Sequence, residues 1–259
     1  MKQSHTTQLT QKQKQILNLL YRFRFLNRHH IQSILKHKHH SRILNWLNKL
    51  TQQKYILRSF DKSFVSDPAL YHLSKDGRKY LKNIPELKIN SLDRVWRESS
   101  YSEVFKKHCL FLADIYILLL IFTKESKTEL HFHTKTDLYG MEHLINPNPD
   151  AYFDIRESKD NTKRYFLDIL DDLPPSMLRK RTRQYFEYFS SDEWQDSTGK
   201  DFPEILLICP NKRIKNHLYY YIRDKLKNEP DIKFYLAVKD LVETKGLTPE
   251  ALEAVKPEE

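Results

Sequence analysis

Cysteine, glycine and long apolar stretches are scarce in this sequence of 259 residues, and each scarcity argues against a class of protein. The two cysteines, Cys109 and Cys209, form no CxxC pair and match no zinc-binding spacing, which favours two reduced thiols in a cytoplasmic protein. None of the four glycines belongs to a phosphate-binding loop, so nucleoside-triphosphate chemistry is not expected. The longest apolar run, CLFLADIYILLLIF at 109–122, is too short to span a bilayer and contains Asp114. It predicts a buried helix and no membrane partner.

Positive charge is abundant, and it is concentrated in the first part of the chain. Residues 1–100 contain 20 Lys and Arg against 6 Asp and Glu, whereas residues 101–259 contain 24 against 28. A uniform need for solubility does not explain this asymmetry. The imbalance therefore predicts a front domain that binds a polyanion.

The front of the chain has the pattern of a winged helix-turn-helix, in which three helices precede a two-stranded wing. Thr10, Asn27 and Ser74 are positioned to cap the first, second and fourth helices. In this fold the third helix enters the major groove of DNA, so the predicted partner is double-stranded DNA. The remaining predicted elements are the third helix at 39–52 and strands at 54–60 and 70–74.

The polar face of the third helix and the wing supply the candidate DNA contacts. Arg and Asn can bind base edges, whereas Lys and Ser more often bind phosphates. A winged helix can also serve protein contacts, and this alternative stays open. The histidines of HKHH at 37–40 are interpreted as titratable groups close to DNA, with a metal site as the alternative. The predicted DNA-binding residues are His40, Ser41, Arg42, Asn45, Asn48 and Lys49 on the helix, with Arg58 and Lys62 on the wing.

The rear of the chain alternates helices and strands in the order α-β-β-β-α-β-α-β, which matches a restriction-endonuclease-like α/β core. The whole chain is therefore predicted to be an α+β protein. The predicted helices lie at 102–123, 175–190 and 211–228, and the strands at 129–135, 150–156, 164–171, 203–210 and 232–238. The predicted domains are the winged helix at 1–83, a linker at 84–101, the nuclease-like domain at 102–242 and an acidic tail at 243–259.

Two acids on neighbouring predicted strands form the candidate catalytic site. Asp150 opens the first strand of PNPDAYFDIRESKDNTKRYFLDILDD at 147–172, and Asp168 lies on the second. Carboxylates on adjacent strands can bind Mg²⁺ or Mn²⁺ beside a phosphodiester. A lysine usually follows the second acid by two positions, but here that position holds Leu170.

Several side chains can compensate for the missing lysine. Lys180 and Arg181, on the following helix, are predicted to reach back, and they complete a catalytic set with Asp150 and Asp168. Alternatively, a second metal ion or Asp172 takes over the catalytic role of the missing lysine. The structural alternative is that Asp150 caps a local turn and Asp168 pairs with a basic neighbour.

HFH at 131–133 suggests a different kind of enzyme. Alternation along a strand puts His131 and His133 on one face. The pattern resembles the His-hydrophobe-His motif of tyrosine relaxases, in which histidines hold a metal and a tyrosine attacks DNA. Because the chain has 15 tyrosines, the pattern selects no particular nucleophile.

In their linear order these motifs resemble the replication-relaxation family of plasmid and mobile-element proteins. The resemblance implies a MOB-C-class relaxase that binds and nicks origin DNA, with Asp150 and Asp168 as ligands of Mg²⁺ or Mn²⁺ and other mobilisation proteins as partners. Leu170 departs from the family pattern, and Arg181 stands where a lysine is usual. The alternative is a catalytically inactive DNA-binding accessory protein, or a transcriptional or replication regulator. The resemblance rests on KKHCLFLADIYILL at 107–120, PDAYF at 149–153, YFLDIL at 165–170, RKRTRQYFEYF at 179–189 and PEILLICPNKR at 203–213.

Overall fold

The structure, a computed structural model, shows a mixed α+β protein, as the sequence predicts. The chain divides into two compact units, residues 1–113 and residues 114–259. The residues described are 8–60, 68–84, 101–158, 161–171 and 173–257.

The first unit combines short helices with a small antiparallel sheet. The strands follow the order β1-β3-β2, so the second strand of the hairpin lies in the middle. The elements are α1 (Gln11–Phe23), β1 (Leu26–Asn27), α2 (Arg28–Ile34), α3 (His40–Gln52), β2 (Ile56–Ser59), β3 (Leu70–Leu73), α4 (Lys75–Lys82) and residues 103–113 of α5 (Glu103–Ser126).

Local sequence signals determine where these helices begin. Thr10 caps α1 and Asn27 caps α2, each in a capping box that joins side chain and backbone reciprocally across three residues. The Ser74 hydroxyl accepts a hydrogen bond from the Gly77 backbone N over 3.0 Å and so caps α4. All three predicted caps are confirmed.

The core of the first unit is formed by one apolar side of each helix packed on the sheet. The buried residues follow the spacing of amphipathic helices, so the outer sides are left for polar residues. Burying a Leu or Ile side chain contributes about 1.5–3 kcal/mol. Buried members include Ile16, Leu17 and Leu20 of α1, Ile31 of α2, Ile43, Leu47 and Leu50 of α3, and Tyr71 and Leu73 of β3.

The second unit is built on a six-stranded mixed sheet in the order β4-β5-β6-β7-β8-β9. The first three strands form an antiparallel meander, β6, β7 and β8 are parallel, and β9 is antiparallel to β8. Helices α7 and α9 make the connections between the parallel strands. The elements after α5 are β4 (Glu129–Thr134), α6 (Lys135–Leu138), β5 (Ala151–Arg156), β6 (Thr162–Ile169), α7 (Pro175–Ser190), α8 (Glu193–Thr198), β7 (Glu204–Cys209), α9 (Lys212–Lys225), β8 (Phe234–Val238), α10 (Lys239–Lys245) and β9 (Glu253–Ala254).

Alternating side chains of the central strands pack aromatic groups on both faces of this sheet. On one face Phe166 lies under α7, with its ring centroid 6.1 Å from that of Tyr185. On the other face Phe132 and Phe153 stack at 5.9 Å, and Tyr116 of α5 contacts Phe132 at 4.9 Å. The antiparallel meander is thus covered on both faces.

The predicted helices and strands are all present, and the structure adds short elements that the sequence pattern does not mark. The prediction ended the second domain at 242, whereas the sheet continues to β9. Ala251 and Val255 are buried there, and a strand of two residues is too short to show alternation. Of the linker predicted at 84–101, residues 85–100 lie outside the described part of the chain.

The apolar run at 109–122 lies in α5. Leu112, Ile115 and Leu119 are buried, whereas Ile121 and Phe122 are 50% and 53% exposed, so the predicted burial fails at the end of the run. Among the described helices, none combines the length and apolar character that a membrane crossing needs.

Candidate nucleic-acid interface and acid pair

Helix α3 exposes every polar residue that the sequence predicted as a DNA contact on it. All six side chains are solvent-exposed and lie away from the buried residues Ile43 and Leu47. Arg42, Asn45 and Lys49 are three and four residues apart, so they share one side of the helix. A row of donors and acceptors on a helix anchored by its apolar side suits the edges of base pairs.

Strand β2 and the residue after it carry a cationic and an aromatic side chain in contact. Arg58 is exposed, and its guanidinium lies 4.3 Å from the centroid of the Phe60 ring, which is 57% exposed. This cation–π contact orients the guanidinium at the surface. Lys62, the other predicted wing contact, lies outside the described residues.

The histidines before α3 contact each other and an aromatic ring. The His39 backbone N donates to His37 Nδ1 over 3.2 Å, and the His37 ring meets Trp46 edge-on at 5.1 Å. In the described ranges these histidines are not part of any group of three or more His, Cys, Asp or Glu side chains suited to a metal ion.

Asp150 and Asp168 meet at one end of the antiparallel pair β5 and β6. Asp150 immediately precedes Ala151, which pairs with Leu167, so Asp168 comes next to it. The Asp150 backbone N donates to Asp168 Oδ1 over 3.3 Å, and the Ile169 backbone N donates to Asp150 Oδ2 over 2.9 Å. The fold therefore brings together the two acids that the sequence singled out.

Asp168 is buried and is held by two side chains of α7. Arg181 donates from Nε to Oδ2 over 2.6 Å and from a terminal nitrogen to Oδ1 over 3.3 Å. The Tyr185 hydroxyl donates to Oδ2 over 2.9 Å. Because Arg181 and Tyr185 are four residues apart, both reach the carboxylate from one side of the helix.

The electrostatics of this cluster keep both partners in their donor form. Burial raises the pKa of the Tyr185 hydroxyl well above its usual range, and the Asp168 carboxylate adds to the shift. Burial lowers the pKa of Arg181, but the charge and hydrogen bonds of Asp168, together with Tyr185 and Asp150, outweigh it, and the net shift is upward. Tyr185 is therefore a neutral donor and Arg181 a permanent cation.

Asp150 has a cationic neighbour of its own. Lys135, the first residue of α6, donates from its backbone N to the Asp150 carbonyl over 2.8 Å, and its Nζ lies 3.6 Å from Asp150 Oδ1. The Lys135 side chain is 55% exposed, so solvent screens this ion pair strongly.

The position two residues after Asp168 belongs to the hydrophobic core. Leu170 is 6% exposed, and its backbone N donates to the Ile208 carbonyl over 2.8 Å. Of the two predicted replacements for the missing lysine, Arg181 contacts Asp168, whereas Lys180 is exposed. The side chain of Asp172 lies outside the described residues.

The carboxylate oxygens of Asp150 and Asp168 are engaged by hydrogen-bond donors and a cation of the protein itself, which disfavours their use as ligands of a divalent cation. Three of their four carboxylate oxygens accept hydrogen bonds, and the fourth faces the Lys135 ammonium. Mg²⁺ requires oxygen ligands at about 2.0–2.1 Å in near-octahedral geometry. Within the described part of the chain, no third His, Cys, Asp or Glu joins the pair as a potential ligand. Metal ligation by Asp150 and Asp168 stays a prediction that this arrangement does not favour.

The histidines of HFH lie on β4 opposite Asp154 and Tyr152. His131 Nδ1 is 2.8 Å from Asp154 Oδ1, and its Nε2 is 3.2 Å from Glu129 Oε1. The His133 ring stacks on Tyr152 with centroids 6.0 Å apart. The two histidines thus have different partners, and the tyrosine-relaxase alternative stays a prediction.

Sequence reasoning did not find Tyr185 or Lys135 as members of this cluster. Tyr185 follows Arg181 by one helical turn, and this i,i+4 spacing is a signal present in RKRTRQYF. Lys135 is brought to Asp150 by the fold of β4 and α6, and no local pattern marks it. Arg181 also donates to the Pro147 carbonyl over 2.8 Å, which sequence cannot indicate.

The fold and the acid pair define a two-unit α+β protein with an exposed polar helix in one unit and a buried carboxylate cluster in the other. The sequence profile of the family described as replication-relaxation matches residues 17–205. This match covers most of the chain, which therefore belongs to the replication-relaxation family. Membership indicates a role related to plasmid replication or relaxation. A comparison with curated proteins found no match.

Proposed function

We propose that this protein binds double-stranded plasmid DNA through its first unit, which acts as a winged helix-turn-helix with α3 in the major groove. The observation that carries the proposal is the exposed polar side of α3, anchored through a buried apolar side. Helices docked in this way contact base edges with a few side chains and phosphates with the rest. Arg42, Asn45 and Asn48 are the base-contacting candidates, and His40, Ser41 and Lys49 the phosphate-binding ones.

The wing and the charge balance support the same function. Arg58 is held at the surface by Phe60, where it suits the flanking DNA backbone. The excess of 20 basic over 6 acidic residues in positions 1–100 provides the sequence-independent attraction that nucleic acids require. Lys62 is proposed to extend this contact.

The experiment selects binding sites from a random duplex library with the full chain and then measures affinity for the enriched sequence. Arg42→Ala or Asn45→Ala should lose about 1–3 kcal/mol for each lost base contact, and preference at one position should relax. The matched control is Lys200→Ala, an exposed cation of the second unit. A winged helix that serves protein contacts would give no enriched sequence and equal affinities for all variants.

A second candidate function is metal-dependent nicking of origin DNA by a restriction-endonuclease-like second unit. The observation that favours it is the convergence of Asp150 and Asp168 from adjacent strands of a sheet whose meander continues into parallel strands. The proposed site is Asp150, Asp168 and Arg181, with Lys180 at its exposed edge. The competing proposal is a DNA-bound accessory or regulator whose nuclease-like unit is inactive.

Relaxation of a supercoiled plasmid carrying the selected site separates these two proposals. The wild-type chain is incubated with Mg²⁺ or Mn²⁺ and compared with Asp150→Ala and Asp168→Ala. Metal-dependent relaxation that both variants lose supports nicking. Binding without relaxation supports the accessory role.

A further inference from the structure

Asp150 and Asp168 each have a cationic side chain of the protein as counter-ion, and this arrangement is independent of DNA binding by the first unit. Asp168 accepts two hydrogen bonds from one guanidinium, the bidentate arrangement in which arginine binds carboxylates most strongly. The side chains of Arg181 and Asp168 are 13% and 7% exposed, so the pair is largely removed from solvent. A buried charge without its partner is costly, which makes exchange of the arginine for another cation unfavourable.

We infer that Arg181 is the permanent counter-ion of Asp168, and that the acid pair of this chain is closed on α7 as an ion-pair cluster that does not bind a divalent cation. The inference opposes metal-dependent nicking at this pair and favours the accessory or regulator role. The balance of charges within the cluster supports this inference. Two carboxylates face two cations, since Lys135 lies beside Asp150. No net negative charge of this four-member cluster is left to attract a metal ion.

The remaining contacts of Arg181 give it a positioning role. Its Nη1 donates to the Pro147 carbonyl over 2.8 Å, and its Nη2, which also donates to Asp168, donates to the Tyr185 hydroxyl over 3.1 Å. One side chain therefore joins α7 to the segment before β5 and to β6. Leu170, at the position where paired-acid nuclease sites usually have a lysine, belongs to the hydrophobic core.

The test measures Mn²⁺ binding by the full-length protein from the loss of the free-ion electron paramagnetic resonance signal. The proteins compared are the wild type, Asp150→Asn, Arg181→Gln and the double variant. Arg179→Gln is the matched control, since Arg179 is an exposed residue of the same helix. Thermal unfolding of each variant checks that it is folded.

The wild type, Asp150→Asn and Arg179→Gln are expected to leave equal amounts of free Mn²⁺. Arg181→Gln is expected to bind about one further ion per chain, and the double variant to lose that ion, because Asp168 becomes available only without the guanidinium. Mn²⁺ binding by the wild type that Asp150→Asn abolishes, with or without duplex DNA, would overturn the inference. So would a folded Arg181→Gln that gains no site. If Arg181→Gln does not fold, the comparison of the wild type with Asp150→Asn decides alone. DNA binding by α3 is tested separately and does not depend on this result.

Discussion

Single side chains determine what the acid pair can do. Asp150 and Asp168 were recognisable because paired acids on adjacent strands are a familiar arrangement for a metal. Their chemistry depends on Arg181 and Tyr185, which lie one helical turn apart on another element. The sequence predicted Arg181 as one of two replacements for the missing lysine, because the helix that follows the second strand has to pass near the strand ends. It could not choose between Arg181 and Lys180, since that choice depends on how the helix is rotated.

Replacing Tyr185 with Phe should weaken folding through loss of one hydrogen bond to a buried carboxylate. Hydrogen bonds to charged groups contribute about 1.5–3 kcal/mol. The free energy of unfolding from urea titrations should fall by that amount. Tyr220→Phe is the control, because Tyr220 is 60% exposed. Equal stabilities of the two variants would show that the hydroxyl contributes nothing to the cluster.

Tyr165 should make stability depend on alkaline pH. Burial raises its pKa, and Glu204, Tyr235 and Glu157 shift it in the same direction. A folded-state pKa above the unfolded value of 10 stabilises the protein fully below pH 10, and this contribution is lost as pH rises from about 10 towards the folded pKa. The unfolding free energy of the wild type should therefore fall above pH 10, and Tyr165→Phe should show a smaller slope. An identical slope would mean that Tyr165 titrates normally.

At the scale of elements, strong local signals predicted the main helices and strands, and weak ones failed. The caps at Thr10, Asn27 and Ser74 fixed three helix starts because each residue provides a specific hydrogen bond. The short strands β1 and β9 were not predicted, since two residues show no alternation. Their pairing depends on the neighbouring strand, which the local sequence does not contain.

Helix α4 approaches the turn between α3 and β2 with a separation that only glycine permits. A Cβ added at Gly77 would lie 2.0 Å from the Tyr55 carbonyl oxygen. Gly77→Ala should therefore shift α4 and lower the unfolding free energy by at least about 1–3 kcal/mol, as overpacking does. Lys79→Ala, at an exposed position of α4, is the control. A Gly77→Ala variant as stable as this control would contradict the close approach.

At the scale of the whole molecule, charge distribution predicts function more directly than any single motif. The basic excess lies in the first 100 residues, and the remaining residues are slightly acidic. Sequence alone could establish this distribution because it requires no folding information. Which side of α3 is exposed to solvent depends on the packing of Ile43, Leu47 and Leu50, and therefore requires the structure.

Binding to duplex DNA should weaken steeply with salt. The logarithm of the association constant falls linearly with the logarithm of salt concentration, with a slope of roughly −0.9 per neutralised phosphate. Fluorescence anisotropy titrations at several salt concentrations measure the slope. Lys49→Ala should reduce it by about 1, whereas Arg42→Ala should chiefly change sequence preference. A slope near zero would argue that the positive charge serves another partner.

The measurement that tests the central claim most directly is dimethyl sulfate protection of the selected duplex by the full-length protein. The reagent modifies guanine N7 in the major groove and adenine N3 in the minor groove, so it distinguishes the two. Protection of guanine N7 that Arg42→Ala loses at one or two positions, with the other protections retained, is the predicted result. Unprotected guanine N7 in a saturated complex, or a pattern that Arg42→Ala leaves unchanged, would contradict insertion of α3 into the major groove.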